Sequence, residues 1–426
     1  MVFSSSRERL GNQLWLIPAV LVAAALGAAA LFAVLDEHVQ QVSWLRFPGG
    51  ADSARSLLSS IAGAMITFTG LVFSITILVL QLASQQYSPR VLRTFLRDRQ
   101  SQLALGLFTA TFVYALVVLR QITQSSIPSL SVTFSVVLVI SSVGVFVAYI
   151  SHMANAIRVS TIIDRVAWET RRTIDARYDR VEEPVALPAG AIDDEEARRW
   201  RLMASEEVVS AETRGMLIAI DVDGAVSLAR DLDVTFVAVP AIGDFVPEGS
   251  PVLGVVGGVI DPDRRDDAGE LFALARDRTV EQDVPFGFRQ LVDVAERALS
   301  PSLNDPTTAV QTLDQIHDLL RRMVVRRFPP QTHRDEDGVV RLVLHGSSWD
   351  QLVTLAVSEI RTFGARSIQV LRRLRGLLLD LLEVAPPSRR DPIERELAVL
   401  SRTAARLGDE RDIELARGSD LQGLGS

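Results

Sequence analysis

Four uncharged runs of membrane-spanning length crowd into the first 152 residues, at about 14–35, 57–82, 103–119 and 130–151. About 20 apolar residues cover the roughly 30 Å of a bilayer's hydrocarbon, and backbone polar groups survive there only in helices or closed barrels. The runs therefore predict an all-α membrane domain of four transmembrane helices over 1–152. Arg7 and Arg9 ahead of the first run give it the look of a signal peptide. It is too long for such a segment's apolar core and lacks a small-residue cleavage site, so it reads as a span.

Arginine placement orients the spans. Arg7, Arg9, Arg90, Arg93, Arg97, Arg99, Arg158, Arg165, Arg171 and Arg172 flank one side, against Arg46, Arg55 and Arg120 on the other. By the excess of positive charge on the inner side, both termini are expected in the cytoplasm. The chain has 44 basic residues, all arginine, no cysteine and a formal net charge of −8. Disulfides, thiolate metal sites and every lysine chemistry are excluded, and no net-basic domain suggests a nucleic-acid partner.

The second run carries a polar stripe. At 100° per residue, Ser56, Ser59, Gly63, Thr67, Gly70, Ser74, Gln81 and Gln85 share a narrow arc, opposite Leu58, Ile61, Met65, Phe68, Val72, Ile75 and Val79. Such segregation predicts either a tight helix–helix seam or a wet pore wall, with Ile77 and Leu78 as a gate that closes by dewetting. A pore with one lining helix per chain requires a homo-oligomer. The span is followed by Ser88-Pro89 and an amphipathic helix whose Arg90, Arg93 and Arg97 face lipid phosphates or an inner pore mouth. No acidic or basic residue lies in the core of the four spans, which argues against a proton relay.

Past the membrane domain, 153–192 reads as a polar juxtamembrane helix and linker, and 193–260 as a small β module. β-like runs fall at 208–210, 216–220, 234–239 and 252–256. The turn Gly243-Asp244-Phe245-Val246-Pro247-Glu248-Gly249 resembles those of biotinyl- and lipoyl-type barrel-sandwich domains. With no lysine to carry the prosthetic group, a swinging arm is excluded. A mainly helical domain is expected over 261–407, with helices near 266–278, 285–299, 306–327, 348–363, 366–384 and 391–407, and 408–426 reads as a flexible tail. The fold class expected beyond the membrane is thus α+β, a barrel-sandwich-like module followed by a helical domain.

Two segments together resemble a known family: SQQYSPRVLRTFLRDRQ after the second span, and RTVEQDVPFGFRQLVDVAERALSPSLNDPTTA at 278–309. They are similar to the bacterial predicted membrane proteins catalogued as domain of unknown function 2254. The resemblance implies a multi-pass protein of the bacterial inner membrane with a large cytoplasmic C-terminal region; it implies no activity and no functional residues.

Candidate chemistry outside the membrane is sparse. Asp283, Asp293, Asn304, Asp305 and Thr307 concentrate polar groups around two helix starts; capping explains Asp305 before Pro306, and a convergent oxygen-ligand site for a small ion or other ligand is the alternative. His38, His152, His317, His333 and His345 form no metal-ligand spacing, and no nucleophile elbow or phosphate-binding glycine loop is present. No catalytic residues, resident metal or cofactor are expected. The functional expectation is a homo-oligomeric channel or passive pore lined by the second span, with a membrane-anchored scaffold or ligand sensor as the alternative. The partners expected are the bilayer, further copies and a small ion or ligand.

Overall fold

The structure is a computed structural model, described over residues 16–39, 49–86, 99–123, 127–156, 158–181, 194–203, 207–418 and 420. It divides into two compact units, Met1–Thr161 and Ile162–Ser426.

The first unit holds four helices: α1 (Leu16–Val39), α2 (Ala51–Gln86), α3 (Arg99–Gln121) and α4 (Ser129–Ala156). All four are long and apolar enough to cross a membrane. α3 is central, with half of its apolar window buried, and packs on α1, α2 and α4. Gly106 lets α1 come close: a Cβ there would stand 2.6 Å from Leu21 Cδ1 and 3.0 Å from the Pro18 backbone. Phe68, Phe108 and Phe146 stack between helices at centroid distances of 4.7 to 6.3 Å. Hydroxyls tie the bundle together, as hydrogen bonds do where hydrocarbon offers no alternative partner. Tyr149 meets Thr76 Oγ1 at 2.8 Å and donates to the Val72 carbonyl at 3.1 Å. Tyr114 donates to the Ser131 carbonyl at 3.2 Å.

One charged group sits at the edge of this core. Asp36, buried near the end of α1, accepts from Leu130 N (2.8 Å), Ser131 N (3.1 Å) and Ser131 Oγ (2.6 Å). It acts as an N-cap supplied from another helix, satisfying orphan amides of α4 where the helix dipole favours a negative charge.

α5 (Val159–Arg177) leads across the boundary into the second unit, where α6 (Asp194–Leu202) follows. A mixed segment follows: β1 (Glu207–Ser210), β2 (Gly215–Ile220), α7 (Val222–Asp231), β3 (Thr235–Ala238), β4 (Phe245–Val246), β5 (Pro251–Val256), α8 (Pro262–Glu270) and β6 (Phe272–Ala275). Then come α9 (Val284–Ala298), α10 (Pro306–Met323), β7 (Thr332–Arg334), β8 (Val340–Val343), α11 (Trp349–Phe363), α12 (Ile368–Val384), α13 (Arg390–Ala404) and α14 (Glu410–Arg417). One sheet runs β1-β5-β3-β8-β7, antiparallel except for the β3–β8 pair; a second runs β4-β2-β6. Val209, Phe236, Leu253, Val255 and Leu342 from the first sheet share a core with Leu217, Val246 and Phe272 from the second.

This corrects the barrel-sandwich expectation: neither sheet closes. The Gly-Asp-Phe-Val turn does fold as a turn, with Gly243 at φ 94° and Gly249 at φ 75°. A turn signature sets local backbone geometry, however, and says nothing about strand partners. Those come from beyond residue 260, where β6, β7 and β8 complete both sheets. The single helix expected at 266–278 is accordingly α8 followed by β6, and the tail contains α14, capped by Asp409 and packed on α12 through buried Ala416.

The helices start where side chains supply acceptors. Asp283, Asp305 and Ser367 each accept from a backbone amide three residues on, and Ser348 forms a reciprocal capping box with Gln351. At the C-terminus of α10 the buried Arg389 donates to the carbonyls of Met323 (2.8 Å), Val324 (2.9 Å) and Arg326 (2.6 Å). Its guanidinium lies 5.1 Å from the Phe328 ring and 5.7 Å from Trp349. No carboxylate pairs with it among the described residues, and burial pulls its pKa down to about 10.

Candidate functional site

The stripe on α2 faces away from its own bundle. Leu58, Ile61, Met65, Val72 and Val79 are buried against α3 and α4, whereas Gly63, Thr67, Gly70, Ser74 and Gln81 are exposed. Among the described residues, a Cβ at Gly63 or Gly70 would meet nothing within 4 Å. Thr67 Oγ1 donates to the Gly63 carbonyl at 2.9 Å, and Ser74 Oγ to the Gly70 carbonyl at 2.8 Å. These two hydroxyls are satisfied by the turn beneath them, so between Gly63 and Ser74 the face is smooth and narrow in profile. Ile77 and Leu78 are exposed as well, at 40% and 54%. The helix therefore carries both stripe and gate candidates on surfaces its own bundle leaves uncovered. The Gln85 side chain and the arginines Arg90, Arg93 and Arg97 lie outside the described residues.

The family-like segment 278–309 has a different role. Asp283 caps α9 by accepting from Phe286 N at 3.1 Å, and Arg278 grips both its carboxylate oxygens. Burial, opposed by Arg278, raises its pKa. Gly243 makes room for that arginine, because a Cβ there would overlap the guanidinium. Gln282 bonds the end of β2, accepting from Ile220 N at 3.2 Å, and the Glu281 carbonyl accepts from Arg177 Nε at 3.0 Å. Three consecutive residues thus join the sheet, α5 and α9.

The candidate ligand residues do not converge. Asp283 and Asp305 belong to opposite ends of α9, whose 15 residues span about 22 Å at 1.5 Å per residue. Asp305 caps α10 through Thr308 N (3.1 Å) and Thr308 Oγ1 (2.6 Å). Asn304 takes the left-handed conformation at φ 45° that this tight turn demands, and Thr307 is exposed beside it. Asp293 instead joins a half-buried cluster in which Arg289 meets Asp293 (2.6 Å), Glu296 (3.1 Å) and Glu359 (2.5 Å). The guanidinium fills the place a cation would take, and no group of three potential ligands stands poised for a metal among the described residues. Burial and the neighbouring Glu359 push the Glu296 pKa up to about 7.

Two further polar constructions escape sequence reading because their partners lie far apart in the chain. His317 Nε2 meets Asp380 at 2.7 Å while Arg373 Nη2 donates to Nδ1 at 3.0 Å; burial lowers the histidine's pKa. The arginine above it fixes the proton on Nε2 and the ring neutral. Along α5, Arg171 meets Asp318 at 2.7 Å, while Asp175 receives Arg322 at 2.9 Å and also Arg326. Charge alternation within α5 is visible in sequence; its pairing with residues some 147 positions away is not.

Comparison with known proteins adds family and no activity. A family model described as "Predicted membrane protein (DUF2254)" matches residues 11–380. An uncharacterized protein of Mycobacterium tuberculosis H37Rv is 32% identical, covering 97% of this chain and 80% of the relative. An uncharacterized Mycobacterium bovis protein matches to the same extent. No solved structure matches. With its four apolar helices and the joined segment 278–309 now accounted for, the chain belongs to the DUF2254 family of predicted membrane proteins.

Proposed function

We propose that the chain is the subunit of a homo-oligomeric protein of the bacterial inner membrane, in which copies meet through the outward face of α2. The C-terminal unit, for which the arginine distribution favours a cytoplasmic location, scaffolds or regulates the assembly. One observation supports this best: Gly63, Thr67, Gly70 and Ser74 form an uncovered strip at four- and three-residue spacing, with hydroxyls turned back onto their own helix. Small residues at that spacing allow two backbones to approach closely, and the exposed Gln81 amide offers a hydrogen bond across such a seam. The reading is non-enzymatic.

A second reading is a pore. It is favoured by the exposure of Ile77 and Leu78 between Ser74 and Gln81, as an apolar gate on a lining helix requires. Single cysteines at Thr67, Ser74 and Gln81 separate the two in this cysteine-free chain. A dry seam leaves Thr67→Cys and Ser74→Cys unreactive to aqueous thiol reagents in the assembled protein; a pore makes them reactive, and Ile77→Ser then raises basal conductance in reconstituted vesicles.

A further inference from the structure

The C-terminal unit contains an arginine-lined cavity of about 260 Å³, walled by Arg180, Asp318, Arg321, Arg322, Val325 and Arg326. The lining comes from the last turns of α10, the residues just after it, and the segment that follows α5. The carboxylates around it are already engaged: Asp318 with Arg171, Asp175 with Arg322 and Arg326, and Asp380 with Arg321. Four guanidiniums (Arg171, Arg321, Arg322 and Arg326) share these three carboxylates, and Arg180 pairs with none of them among the described residues.

The Arg180 side chain is exposed and has no partner among the described residues. Arg322 is half-buried, and its Nε is buried without a hydrogen-bond partner. Several guanidinium forks around one space present the geometry that matches oxyanions. At about 30 Å³ per water, the cavity has room for a tetrahedral oxyanion with several waters to spare.

We propose that this cavity is a binding site for a phosphate-type dianion, a phosphate monoester group or inorganic phosphate. Arg180 is its principal donor, with Arg321, Arg322 and Arg326 completing the walls. Because Arg180 follows α5 and the other three belong to α10 and its end, the bound dianion bridges the two, adding to the α5–α10 ion pairs. The proposal does not depend on how copies associate.

The test is calorimetric titration of inorganic phosphate into the full chain in phosphatidylcholine nanodiscs, in a chloride buffer of low ionic strength. Wild type is expected to bind saturably. Arg180→Gln, which removes no side-chain hydrogen bond or ion pair among the described residues, weakens binding by about tenfold, the scale of one charge-assisted hydrogen bond. Arg180→Glu abolishes it, and Arg321→Gln weakens it. Repeating the titration in discs containing phosphatidic acid distinguishes the sources of the anion. Loss of phosphate uptake there assigns the site to a lipid headgroup, and unchanged uptake assigns it to a soluble phosphate compound. A wild-type chain that takes up no phosphate in phosphatidylcholine discs, or an Arg180→Glu chain that binds as wild type does, overturns the proposal.

Discussion

At Gly287 the absence of a side chain sets the separation of two helices: a Cβ there would fall within the hydroxyl of Thr170 on α5. Gly287→Ala is expected to destabilise the C-terminal unit by about 1–3 kcal/mol, the scale of overpacking a tight core. Thr170→Ala in the same chain should recover part of that loss, because it removes the hydroxyl and methyl in the way; thermal unfolding of the single and double variants reads both. Arg389 is a second such residue. Replacing it with Met orphans three carbonyls and should cost on the order of 3 kcal/mol, read as a fall in denaturant midpoint. Glu296 makes stability depend on pH. Its folded pKa of about 7 exceeds that of an unfolded glutamate, so its contribution is fully present at low pH and is lost as pH rises through about 7. Glu296→Gln should therefore raise the melting temperature near pH 8, with the gap from wild type closing toward about pH 5. None of the three was legible in the sequence. Gly287 looks like any helical glycine, Arg389 like a surface charge after two prolines, and Glu296 finds its partner Glu359 in another helix. Each role depends on a long-range contact, which local pattern does not encode.

Among the elements, α2 was the most legible. Its apolar arc, read from periodicity alone, packs in the bundle core through Leu58, Met65 and Val72, and its polar arc lies outside. The helix start marked by Asp305 before Pro306 also sits where its cap demands, since a cap is a local device. Sheet membership was not legible. β6 was hidden inside an expected helix, and β7 and β8 reach the strands of the expected module from some 80 residues farther along the chain. The α2 face yields its own prediction. Gly63→Leu and Gly70→Leu should leave the bundle's thermal stability within about 0.5 kcal/mol of wild type, as surface substitutions do, because nothing stands within 4 Å of either position. The same pair should abolish association of copies. Loss of the folded bundle would show instead that the face is covered from within the chain.

For the whole molecule, a four-helix membrane unit and a separate α+β unit were written in the hydropathy break near residue 152, because bilayer thickness imposes a length and polarity that soluble sequence rarely mimics. What the chain does in the membrane was not written there: Gly63, Thr67, Gly70 and Ser74 suit a seam and a pore wall alike, and only the surroundings separate the two. Oxidative cross-linking of a Ser74→Cys chain in nanodiscs tests the central claim most directly. It should be read by native mass beside Ile140→Cys, which lies on the exposed face of α4. Association through α2 gives a discrete oligomer that cross-links through Ser74→Cys and not through Ile140→Cys. A monomer, or an oligomer that cross-links only through α4, would contradict it.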